Sequence, residues 1–131
     1  MARYKVAQIG ALADLRKKTF LRDLLELTGA EISINRVPPG EFIPFTHTHK
    51  ENEEVYIVLR GSGFFFIDGE EFPIQEGSVL RVDPAGERAW KSGGEDMYFI
   101  CIQAKQGSIR QTTRQDGARG TSRPSWMAKE A

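Results

Sequence analysis

The feature that most constrains this chain is how short its apolar runs are. Glycine, proline, aspartate or serine interrupts it every few residues, with 13 Gly and 6 Pro in 131 positions. The runs between, "EISINRV" (31–37), "EEVYIVLR" (53–60), "FFFID" (64–68), "EEFPI" (70–74), "SVLRV" (78–82) and "MYFICIQ" (97–103), are rich in β-branched and aromatic residues. That composition suits a pleated, half-buried surface, so each run is read as a strand. Asp68-Gly69, between two such runs, has the two-residue chemistry of a tight hairpin, because both positions tolerate positive φ. Residues 19–29, "TFLRDLLELTG", space Phe20, Leu21, Leu24 and Leu25 at near-helical intervals and stop at a glycine. A short helical turn is expected there, with a strand as the alternative. Many short strands with little helix point to a small all-β antiparallel barrel or sandwich.

The length suits one domain with a single core. Residues 1–104 form that domain, and 105–131 form a polar tail. Formal charge is zero, but residues 1–104 carry 12 basic and 16 acidic side chains, against 6 and 2 in the tail. A mildly acidic body argues against nucleic acid as a partner. No stretch approaches a membrane span and the first residues lack a signal peptide's apolar run, so a cytoplasmic location is expected. The single cysteine, Cys101, has no internal disulfide partner. Trp126 and Met127 are the tail's apolar handle, expected to pack on the barrel or on a partner subunit of a homodimer.

Both histidines of the chain lie two residues apart, in "FTHTHKENEEVY". On an extended chain such residues share a face, so His47 and His49 can aim at one point, as metal ligands do. A third ligand would be a carboxylate from the following strand. Glu51, Glu53 and Glu54 compete for that role, and period-2 alternation does not choose. The competing reading is a solvated loop with incidental histidines.

Gly40, His47, His49, Glu54 and Gly61 together resemble the first motif of the cupins. Four residues separate His49 from Glu54 and six separate Glu54 from Gly61, as in that family, while Gly40 lies one residue further from His47 than usual. The resemblance implies a jelly-roll barrel and selects Glu54 as the carboxylate ligand. "GSVLRVDPAGERAWKSG" resembles the second motif through Gly77, Pro84 and Gly86, with one extra residue between the first two. By that alignment Ala89 stands where the second-motif histidine belongs and Gly93 where an asparagine would be. Ala89 is therefore expected to point toward the ion from across the barrel, with the fourth ligand missing.

Two imidazoles and one carboxylate suit Fe, Mn, Ni or Zn as divalent ions, with coordination positions left open. Cys101 or Gln103, on one face of the last strand, could supply an additional ligand. Arg81, Arg88 and Tyr56 are the candidates for substrate contact, a buried arginine being a natural anchor for a carboxylate or phosphate. The resemblance implies action on a small oxygen-rich molecule, an organic acid or sugar, of dioxygenase, decarboxylase or isomerase type. The alternative is a non-catalytic module that binds or senses a small ligand, its metal site weak or empty.

Overall fold

The computed structural model describes residues 2–127. The first residue and the last four of the tail, Lys129 among them, lie outside the described residues. The elements run β1 (Lys18–Phe20), α1 (Arg22–Leu25), β2 (Glu31–Val37), β3 (Asn52–Arg60), β4 (Ser62–Ile67), β5 (Glu70–Gln75), β6 (Val79–Val82), β7 (Arg88–Ser92), β8 (Met97–Lys105) and α2 (Thr113–Asp116). All strand pairs are antiparallel, in a five-stranded sheet of order β1-β2-β8-β3-β6 and a three-stranded sheet of order β5-β4-β7. The two form a jelly-roll barrel. Asp68 and Gly69 both take positive φ, 48° and 86°, in the turn that joins β4 to β5.

Alternation decides what lines the interior. On β3, Glu54, Tyr56 and Val58 are buried while their neighbours are only partly covered. Tyr56 lies opposite Cys101 and Val58 opposite Phe99 on β8, all facing the core. The facing sheet contributes Phe65 from β4 and Ile74 from β5. Aromatic rings interlock at the centre, with Tyr56 packed on Phe65, Trp90 and Phe99 at centroid separations of 5.1, 5.6 and 5.7 Å. Such pairs add about 0.5–1.5 kcal/mol each beyond the area they bury.

Gly61 ends β3 in a conformation with φ of 81°, and a Cβ there would stand 2.2 Å from the Asp96 carbonyl oxygen. Only glycine fits both demands. The segment 19–29 divides between both expectations: Phe20 ends a three-residue strand, and one helical turn follows before Glu26 turns left-handed at φ 54°. β7 has no counterpart among the expected strands, because "RAWKS" carries two cations and one apolar residue of size. The tail holds one capped helical turn, and Trp126 is 82% exposed. The chain's own barrel therefore does not cover Trp126, contrary to the first of the two packing expectations.

Candidate metal centre

The histidines sit on the loop between β2 and β3, which is extended and stitched to neighbouring backbone. His47 exchanges two backbone hydrogen bonds with Arg88, at 3.2 and 3.1 Å, and the His49 N–H donates to the Pro84 carbonyl at 2.8 Å. Residues paired this way across an antiparallel ladder share a face. The bridge thus turns His47 and Arg88 toward the same side, and Glu54 reaches that side from β3. One ligand atom from each of His47, His49 and Glu54 lies within 4.8 Å of the others.

Glu54, 2% exposed, holds its two oxygens in different company. Oε1 accepts hydrogen bonds from the Tyr56 hydroxyl at 2.5 Å and the Arg88 guanidinium at 2.9 Å. Oε2 accepts from the Cys101 thiol at 3.3 Å and lies 3.1 Å from His49 Nε2. That last approach lacks hydrogen-bond alignment, so His49 Nε2, like His47 Nδ1, is a buried nitrogen without a partner. Buried polar atoms are rarely left this way without a reason. Ligand atoms about 2.0–2.2 Å from one ion lie about 3–4 Å apart, so the donor set fits a divalent cation with little closure.

Electrostatics prepare the same groups. Burial pushes the His47 imidazole below its ordinary range, helped by Arg88 and opposed by Glu54, which favours the neutral form a metal requires. Burial, reinforced by the Glu54 charge, pushes the Tyr56 phenol and the Cys101 thiol upward. Both stay protonated and donate to Glu54. The Trp90 ring packs 5.9 Å from the His47 ring and limits its swing.

The remaining candidates disperse. Arg81 lies on β6 with its side chain mostly exposed, paired to Asp83 at 3.2 Å, and does not join the centre. Gln103 is the β8 partner of Glu54, but its side-chain oxygen accepts from Asn52 at 3.3 Å. Cys101 is a thiol donor to Glu54 and does not belong to the converging triad. Ala89 requires a correction. It pairs with Phe66, and the alternation of β7 puts Arg88, Trp90 and Ser92 inside with Ala89 and Lys91 outside. The position facing the ligands from β7 is therefore Arg88, one residue earlier than the motif alignment placed it. Arg88 is 0% exposed. Its other terminal nitrogen donates to the Asp83 and Pro84 carbonyls at 2.6 and 3.4 Å. The sequence held a signal for this shift in the extra residue between Gly77 and Pro84 and in the order Arg-Ala-Trp-Lys-Ser.

Known proteins share this fold. The cupin-domain family matches residues 33–103, more than half of the chain. The chain belongs to the cupin family. A solved cupin protein from Bacteroides fragilis is 40% identical, with a TM-score of 0.86 over 92% of this cupin and 100% of that chain. An oxalate-binding protein of Thermotoga maritima is 29% identical over 68 residues, 51% of this chain and 55% of that protein's length. This cupin thus matches little more than half of that curated relative. A predicted oxalate decarboxylase from Thermotoga maritima is 26% identical, with a TM-score of 0.54 over 57% of this chain and 65% of that one.

Proposed function

We propose that this cupin binds a divalent transition metal through His47, His49 and Glu54 and acts on a small oxygen-rich substrate, in first place an organic acid of oxalate size. The observation that carries the reading is the convergence of three ligand atoms within 4.8 Å, two buried nitrogens of the same histidines having no other partner. A bound ion would polarise a coordinated carboxylate or hydroxyl oxygen and fix its orientation. The chain's own residues do the rest. Tyr56 and Arg88 hold Oε1 of Glu54, so only Oε2 is turned to the histidines, and Trp90 keeps the His47 ring in place. The organic-acid class is supported by the names of the Thermotoga maritima matches.

A binding or sensing module is the second reading. It is favoured by the tight engagement of Tyr56 and Arg88 with Glu54, which leaves neither free as a general acid or base. Elemental analysis of protein purified without a histidine tag tests the metal. His47→Ala and His49→Ala should each lose most of the bound ion and Glu53→Ala should keep it; retention in both histidine variants would sink the proposal. Loss of an organic acid on incubation with the loaded protein, absent in His49→Ala, separates enzyme from sensor.

A further inference from the structure

Arg88 changes the charge of the centre as well as its shape. Its guanidinium is wholly buried, 2.9 Å from Glu54 Oε1, on the same side of the backbone bridge as His47. Glu54 and Arg88 together sum to zero charge, so an ion held by two neutral imidazoles and Glu54 Oε2 would leave the centre at a net charge of two. Besides Arg88, the side chains that touch Glu54 are the Tyr56 phenol, the Cys101 thiol and the His49 imidazole, and none of them is a second carboxylate. A buried uncompensated charge is costly in a low-dielectric interior.

We infer that Arg88 makes this a centre for a metal and an anion together, in which a divalent ion is held tightly only when a dicarboxylate completes it. The inference rests on the metal reading above. Arg88 acts here as a positioning and charge-setting residue. Its terminal nitrogens are engaged by Glu54, Asp83 and Pro84 and only the buried Nε is unpartnered, so it influences the anion chiefly through the field of the site. Glu54 is at the same time confined to one ligating oxygen, which leaves more of the ion's coordination to the incoming oxygens. The ligand class is a small anion with two oxygens able to reach one ion, and a doubly charged one is preferred over a singly charged or neutral isostere.

The test is Mn(II) affinity at matched free metal, measured alone and with oxalate, glyoxylate or the neutral diamide oxamide. In the wild type oxalate should tighten Mn(II) by about tenfold or more, glyoxylate by less, and oxamide hardly at all. Arg88→Met, similar in length and uncharged, should bind Mn(II) alone more tightly and flatten the charge series; Arg88→Lys should preserve the series. A purely structural role for Arg88 would change affinity without changing the dependence on anion charge. Equal effects of oxalate and oxamide in the wild type would overturn the inference, a result independent of whether any variant folds. So would an undiminished series in folded Arg88→Met. Absence of Mn(II) binding under every condition would remove the metal reading as well.

Discussion

The two halves of the centre are built differently. Glu54 and Arg88 are sealed in the barrel, joined to each other and to Tyr56, Cys101 and two backbone carbonyls. His47 and His49 sit half-buried on the loop before β3, held by backbone bonds, with ring nitrogens that nothing satisfies. The sealed half is committed to stability, because its buried charges offset each other's desolvation, with only Arg88 Nε left unpartnered. The open half is committed to binding, because its side chains contribute little to the fold and have donors to spare. Glu54 belongs to both, one oxygen facing each way.

Breaking the sealed pair on one side only should have the largest effect. Arg88→Ala should leave the Glu54 charge buried and unpaired, at about 3–5 kcal/mol of stability by urea unfolding. The double variant Glu54→Leu/Arg88→Met should recover much of that loss, since an apolar pair of similar volume needs no compensation. A loss below about 1 kcal/mol for Arg88→Ala would mean the pair is not sealed and would erase the contrast.

Next in size is the open half, where effects should appear only with metal present. His47→Ala and His49→Ala should each stay within about 1 kcal/mol of wild type in chelator. Each should also lose the thermal stabilisation that added Zn(II) or Mn(II) gives the wild type. Destabilisation of several kcal/mol in chelator would assign the histidines to the fold instead.

A smaller effect, on pH dependence, sharpens the sealed side. The fold keeps the Cys101 and Tyr56 protons above their ordinary values of 9.0 and 10.0. Above that range the unfolded chain binds fewer protons than the folded one, so stability present below about pH 9 should fall as pH rises past 9 to 10. Cys101→Ala should show a shallower decline in urea midpoints between about pH 8 and 10.5, all else matched. An identical slope would mean that neither burial nor Glu54 holds the thiol proton in the folded chain. The smallest expected effect is that of Ala89→His. Its side chain should project from the outer face of β7 beside Phe66 and leave metal affinity unchanged, and a gain in affinity would restore the motif register that the barrel contradicts.

Much of the frame is legible in the order of residues. The six expected runs all become strands because short alternating runs between glycines have no other way to bury one face, and Asp68-Gly69 turns as its chemistry demands. The pairing of His47 with His49 is equally legible, since period-2 geometry is local, whereas only the resemblance to the cupin motif selects Glu54 over Glu51 and Glu53. β7 is not, because "RAWKS" lacks an apolar pattern of its own and pairs only where β4 offers an edge.

Dihedral preferences and alternation over a few residues suffice to make this chain a small antiparallel barrel or sandwich and to put its two histidines on one face. They do not suffice to say which β7 residue looks inward. Motif counting points to Ala89, but the backbone exchange between His47 and Arg88 sets the register, and in a sheet a shift of one residue reverses every side chain. What Arg88 is for is likewise a matter of long-range closure. A guanidinium is at home in the interior only where a carboxylate and free carbonyls meet it, and Glu54, Asp83 and Pro84 do so only once distant stretches of chain have closed around one point.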